Sequence, residues 1–202
     1  GWALPVCRPA QVWGWGAGAA KKKKPVAGVI HKPYAGDMGM LTYGAVGIGV
    51  LGDREPAYDG PPAALVISSN LATIDHPRFK AAMERLDPQP KVVLAHACGQ
   101  RFISVLQGEA SAFVSFSSGS SRWDICAGEA LLAELGGKVT NLEGVEYKYV
   151  EGSVYDNTGG ILAARTSEIH ARLLEAFTPP GANGGDGLGE GEVASKRART
   201  AS

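Results

Sequence analysis

Apolar positions between residues 25 and 177 follow two rhythms in alternation. Short apolar runs at 26–30, 64–68, 91–95, 112–116, 138–141 and 161–164 predict strands. Residues 40–51 are apolar and glycine-rich, which predicts one or two strands whose backbones approach closely. Helical spacing intervenes. Phe79, Met83 and Leu86 share one side over 76–86, and Phe102, Ile103 and Leu106 do so over 99–107. The clearest helix covers 124–135, where Ala127, Leu131, Leu132 and Leu135 share a face until Gly136-Gly137 stops it. Residues 166–177 close the pattern, with Thr166 as N-cap and Ile169, Leu173, Leu174 and Phe177 inward. Strands alternating with helices predict a layered α/β domain, and no internal repeat interrupts it.

The two ends break the pattern. Residues 1–24 scatter Trp2, Trp13 and Trp15 among Gly, Ala and Pro without a period, and finish in lysines at 21–24. Residues 178–202 begin with Thr178-Pro179-Pro180-Gly181 and run through Gly, Glu and Ala to Lys196-Arg197-Ala198-Arg199. Neither end offers enough apolar area to offset its ordering entropy, so both are expected to be disordered flanks of a domain at 25–177. The chain opens on Gly1 rather than Met, which suggests a fragment.

Charge and cysteine narrow the classes. Twenty basic residues cancel twenty acidic ones, so no nucleic-acid partner is expected. No run reaches about 18 apolar residues, so no membrane-spanning helix is predicted. Cys7, Cys98 and Cys126 are odd in number and far apart, against a disulfide framework or a structural zinc site. A reducing compartment, cytoplasmic or organellar, follows, and no secretory signal is visible.

Several motifs invite chemistry. Gly47-Ile48-Gly49-Val50-Leu51-Gly52 matches GxGxxG, yet Asp53-Arg54-Glu55-Pro56 follows where a phosphate-binding helix must open. Glycines in a tightly packed strand account for it better than a dinucleotide site does. His31, His76, His96 and His170 show no metal-ligand spacing and read as core or surface residues. Ser117-Ser118-Gly119-Ser120-Ser121 lacks the frame of a nucleophilic serine and reads as a loop. Asp124 is different, because it stands at the start of the best-patterned helix. It either caps that helix or offers an oxygen to a hard cation, with the helix N-terminus favouring a nearby anion.

Trp123-Asp124, the apolar helix behind it, Gly136-Gly137, Val139-Thr140 and Gly144 resemble the C-terminal signature of the inositol monophosphatase superfamily. Residues 99–114 and the run Gly28-Val29-Ile30-His31-Lys32-Pro33-Tyr34 resemble its 3'(2'),5'-bisphosphate nucleotidase branch. The resemblance covers residues 25–177 and implies the C-terminal half of an αβαβα sandwich. It further implies a Mg²⁺-dependent phosphomonoesterase acting on a small phosphorylated substrate, adenosine 3',5'-bisphosphate or an inositol phosphate. Asp124 matches the helix-start metal ligand. Arg101 falls where the branch carries a nucleotide-contacting Lys. Ala97 and Gly99 flank it, and Ser69 matches a substrate-side hydroxyl. Asp124 belongs to this substrate-facing set as well.

One departure stands against the match. The family's acidic motif and its D-P-x-D-G-T motif lie upstream of the strand at 26–30, whereas residues 1–24 hold no Asp or Glu. One carboxylate cannot hold two or three Mg²⁺ ions. No catalytic residue is therefore assigned, and the chain alone is expected to be inactive. Alternatives are an inositol phosphate phosphatase, or a non-catalytic packing or dimerisation module whose exposed apolar area drives self-association.

Overall fold

The computed structural model describes residues 15–21, 24–35, 39–52, 65–116, 119–149 and 155–178. The first four strands form an antiparallel meander: β1 (Trp15–Lys21), β2 (Lys24–Lys32), β3 (Met40–Ala45) and β4 (Gly49–Gly52). A second sheet has five strands: β5 (Val66–Ser69), β6 (Lys91–Leu94), β7 (Ala112–Ser115), β9 (Lys138–Thr140) and β11 (Ile161–Ala164). Their order is β6-β5-β7-β11-β9. β5 runs parallel to β6 and β7, and the remaining pairs are antiparallel. A two-residue ladder joins β8 (Ser120–Ser121) to β10 (Asp156–Asn157). The helices are α1 (Leu71–Ile74), α2 (Pro77–Arg85), α3 (Cys98–Leu106), α4 (Arg122–Glu134) and α5 (Ser167–Phe177).

Side-chain alternation along the second sheet fixes the layers. Phe113, Ile161 and Ala163 join Ile30, Phe102, Ile103, Ile125 and Leu131 in one core between the two sheets. Val114, Leu162 and Ala164 point the other way, onto Phe79, Leu86, Leu173 and Phe177 of α2 and α5. Both faces of these strands are therefore apolar, as expected of a covered sheet. The layers run sheet, α3 and α4, sheet, α2 and α5, which is the layered α/β sandwich that the sequence predicts. α3 packs on α4 by seating the Phe102 ring on the bare backbone of Gly128, where a Cβ would lie 2.1 Å from Cγ of Phe102. Phe102 in turn meets Phe113 edge-on, with ring centroids 4.7 Å apart.

Several boundaries differ from the sequence reading, each for a physical reason. β1 lies within the segment in which no packing face is visible. Its sequence WGAGAAK is almost all small residues, so it carries no hydrophobic alternation; it is held by its ladder with β2 and by contact with α4. The register of that ladder shifts at Ala19/Ala20, beside the Ala20–Pro25 pair, where a proline is tolerated. A one-turn helix fills most of 70–76, where the sequence pattern offers no element. Asn70 caps the one-turn α1, its Oδ1 accepting from Thr73 N at 2.9 Å. His76 then caps α2 through Nδ1 and stacks on Phe116. The GxGxxG residues form the β3–β4 hairpin, and Gly47 takes φ 79° in its turn. Gly49 and Gly52 themselves lie in strand β4 rather than at a helix N-terminus. Residues 1–14 and 179–202 lie outside the described residues, as do the serines at 117–118.

Candidate functional site

The order of the parallel strands places the site. After β5 the chain crosses by α2, on one face, to β6 at one flank. It then returns by α3, on the opposite face, to β7 at the other flank. The crossovers thus diverge at the carboxyl end of β5, the crevice where open α/β sheets bind ligands. Ser69 ends β5, and its carbonyl accepts from Ala95 N at 2.8 Å, extending the pairing toward α3. α3 and α4 start from the carboxyl ends of β6 and β7, so their N-termini share this edge of the sheet.

Each sequence-predicted residue can now be placed. Ser69 is fully buried, and its Oγ donates to Val114 O at 2.8 Å, so its proton is committed to the sheet. Ala97 is the N-cap of α3 and has no side-chain oxygen to occupy the first-turn amides. Gly99 lies in that first turn, and a Cβ there would meet only Ile30 Cγ2 at 3.5 Å. The protein's own packing therefore does not demand glycine at this position.

Arg101 is 5% exposed. Its Nε and Nη2 reach Ala97 O and His96 O at 3.4 Å each, and its guanidinium lies 5.5 Å from the centroid of the Phe113 ring. Nη1 is buried without a partner among the described residues. Burial pulls the guanidinium below its usual pKa. Asp124 is half-buried, and burial pushes its carboxyl upward against the hydrogen bond from Ser121 N, 2.8 Å from Oδ2. Cys98 stands in the first turn of α3, within electrostatic reach of both. Its thiol is pushed up to about 12, first by burial; Arg101 opposes the shift and Asp124 adds to it. The Cys98 thiol is thus protonated near neutral pH and feels both charges, which places a buried cation and a desolvated carboxylate around one α3 N-terminus.

Two details escape sequence reading. α4 begins at Arg122, two residues before the expected start, because Ser121 is its N-cap and Asp124 is N3. The spacing Ser121-Arg122-Trp123-Asp124 is the capping-box pattern and could have located it. Asp124 therefore does support the helix end, but by accepting the N-cap amide rather than as the cap itself. The second detail is Glu129, on α4, whose Oε2 accepts from Tyr149 Oη at 2.5 Å. Burial pushes this carboxyl up to about 7.

The histidines divide as core or surface residues. His170 is buried against Thr140 at 2.8 Å, His76 caps α2, and His96 is exposed. Among the described residues, no group of three or more His, Cys, Asp or Glu side chains comes together as a metal cage. Asp124 offers one carboxylate, with one oxygen already engaged, whereas Mg²⁺ needs several oxygen donors. The described residues alone do not fit a divalent-metal centre. None of their helices is long and apolar enough to cross a membrane.

Residues 17–179 match the sequence profile of the inositol monophosphatase family. The chain is 30% identical over 162 residues to 3'(2'),5'-bisphosphate nucleotidase 1 of Mus musculus, covering 76% of this chain and 51% of that protein. It is also 30% identical over 163 residues to inositol monophosphatase 3 of Xenopus tropicalis, covering 77% and 42%. The solved structure of inositol monophosphatase II from Staphylococcus aureus superposes with a TM-score of 0.65 at 19% identity, covering 81% of this chain and 59% of that one, a likeness of fold. The chain spans about half the length of the curated relatives it matches.

Proposed function

The chain belongs to the inositol monophosphatase family, and on that premise we propose that it supplies the phosphate-holding half of a Mg²⁺-dependent phosphomonoesterase of the 3'(2'),5'-bisphosphate nucleotidase kind. The observation that carries this reading is the unpartnered Arg101 Nη1, buried beside the uncapped start of α3. A buried guanidinium with an unmade hydrogen bond is costly, and a phosphate oxygen repays that cost with a charge-assisted bond. First-turn amides at Cys98 and Gly99 add the polarity of a helix N-terminus, and the absence of a side chain at Gly99 lets an anion approach the backbone. Ala97 and Ser69 line the same edge. Ser69 contributes position alone, since its hydroxyl is committed to Val114 O and its carbonyl to Ala95 N.

Asp124 is the residue that would face a metal, whose chemistry is polarisation of the phosphate and activation of water. The family is metal-dependent in general. The remaining donors would come from outside the described residues, so the described chain binds and orients the phosphate without completing catalysis. The substrate is adenosine 3',5'-bisphosphate, whose second phosphate suits the Arg101 cation; inositol phosphates are the competing class.

Two measurements test this. Isothermal titration of the 202-residue chain with inorganic phosphate is expected to show binding that Arg101→Met abolishes; undiminished binding in that variant would refute the role of Arg101. Mg²⁺-dependent phosphate release from adenosine 3',5'-bisphosphate is expected from a gene product carrying the upstream acidic motifs, and Asp124→Asn should abolish it. No release across small phosphomonoesters would end the phosphatase reading.

A second reading rests on a separate observation. Val29, Tyr43 and Leu51 are register neighbours across β2, β3 and β4, and all three are exposed. This row suits a packing or dimerisation module, and sedimentation of the chain as a stable dimer without phosphate affinity would favour that role.

A further inference from the structure

Among the described residues, two buried side-chain polar atoms lack a hydrogen-bond partner: Arg101 Nη1 and Ser68 Oγ. The phosphate reading uses the first, and the fold brings the second to the same place. β5 lies between β6 and β7 in the sheet, so α3, which links those two strands, crosses over β5 and packs on it. Ile67 points toward α2 and α5, so strand alternation turns Ser68 toward α3. Ser68 pairs in register with Phe113 of β7, whose ring lies on that same side. The Arg101 guanidinium lies over that ring, 5.5 Å from its centroid. α3 runs back from the carboxyl edge of the sheet, which sets its first turns level with the last residues of β5. A hydroxyl and a guanidinium thus border one aromatic ring, each buried and each with a donor unspent. They do not bond to one another, and the other two guanidinium contacts go to backbone carbonyls, not to a carboxylate.

We propose that the Ser68 hydroxyl is a second side-chain donor to the phosphate held by Arg101, so that β5 and α3 grip one oxyanion between them. This rests on the phosphate-binding role of Arg101 argued above and adds a residue from a different element. A phosphate dianion accepts from a hydroxyl and a guanidinium at once, through separate oxygens, and both bonds are charge-assisted. Ser68 is fully buried, so an oxygen that reaches it leaves water behind, and the bond is stronger for that. An unbonded buried hydroxyl destabilises the free protein, and binding of the anion relieves that cost.

Isothermal titration of the 202-residue chain with inorganic phosphate, paired with chemical denaturation in phosphate-free buffer, tests the assignment. Ser68→Ala removes the hydroxyl alone and is expected to weaken phosphate binding about tenfold. Because that hydroxyl has no partner to lose, the denaturation midpoint of Ser68→Ala should match or exceed that of the parent. Parental phosphate affinity in Ser68→Ala, with binding still abolished by Arg101→Met, would overturn the Ser68 role and leave the Arg101 reading standing. A midpoint below the parent's would reveal a structural bond at this hydroxyl and would sink the donor role as well. If the parent binds no phosphate, the Arg101 reading fails and the Ser68 role falls with it.

Discussion

The two faces of the five-stranded sheet are packed alike and wired differently. On the α2 and α5 side, polar groups close on each other. Thr140 Oγ1 donates to Asn141 O at 2.7 Å and can accept from His170 Nε2–H at 2.8 Å. Thr73 Oγ1 accepts from Phe116 N, and Thr166 Oγ1 accepts from Ile169 N. On the α3 and α4 side, Arg101 Nη1 has no partner among the described residues, and neither has Ser68 Oγ, which shares a face with Val66 by strand alternation. Asp124 and Glu129 are desolvated on that side as well. Equal packing with unequal polar satisfaction separates a face that stabilises the fold from one held ready for a ligand.

The largest effects should not distinguish the faces. Phe102→Ala on the inner side and Phe177→Ala on the outer side are each expected to cost about 3–5 kcal/mol, read by denaturant unfolding. A much smaller loss for Phe102→Ala would break the premise that the inner core is equally well packed.

Titration should separate the faces by sign. Burial, with Lys138 assisting, lowers His170 to about 4 from its ordinary value near 6.5. The unfolded chain therefore takes up this proton first, and the His170 contribution to stability is lost as pH falls from about 6.5 toward 4. Glu129 acts in the opposite sense. Burial and Glu146 raise it to about 7, while Tyr149 and Lys24 work against the shift. Its contribution is present below the ordinary value near 4.5 and is lost as pH rises toward about 7. Each effect amounts to at most about 3 kcal/mol, and in the parent they offset one another over much of the same range. Glu129→Gln is therefore expected to gain stability relative to the parent between pH 5 and 8, with the gain growing as pH rises (about 1–3 kcal/mol). A pH-independent difference between the two proteins would show that Glu129 titrates normally.

This division of labour was only partly visible beforehand. The buried faces of α4 and α5 stand out because Leu131, Leu132, Leu173 and Phe177 give a strong helical period, with Gly136-Gly137 as a stop. β1 does not, because alternating Gly and Ala carry no hydrophobic amplitude, and besides its ladder with β2 it is held by α4, far later in the sequence. β8 and β10 are two residues each, paired across 35 positions between Ser121 and Asp156 and 37 between Ser120 and Asn157, a contact no local pattern encodes. Asp124 stands out by its place at a helix start and Arg101 by resemblance alone, and their approach to Cys98 follows from strand order, which is non-local. The link from Glu129 to Tyr149 spans 20 positions and depends on how the loop after β9 folds back.

The smallest effects carry the finest distinction, because single polar groups on the two faces should respond with opposite signs. Thr140→Val keeps the shape of the side chain and removes the acceptor for His170 Nε2–H. It leaves a buried donor unpaired and is expected to cost about 1–3 kcal/mol. Arg101→Met removes the unpaired Nη1, a desolvated charge and two long 3.4 Å contacts, from Nε to Ala97 O and from Nη2 to His96 O, while a flexible apolar side chain fills the space over Phe113. Its expected outcome is neutral to about 1 kcal/mol stabilising, by the same logic that makes apolar replacements of buried charges tolerable. The variant should nevertheless lose phosphate binding. Chemical denaturation of both variants in phosphate-free buffer, repeated with saturating phosphate, reads all of these quantities. Phosphate should stabilise the parent and Thr140→Val alike and leave Arg101→Met unmoved. A clear destabilisation by Arg101→Met without phosphate would mean that the guanidinium is a structural strut, and the inner face would then be no different in kind from the outer one.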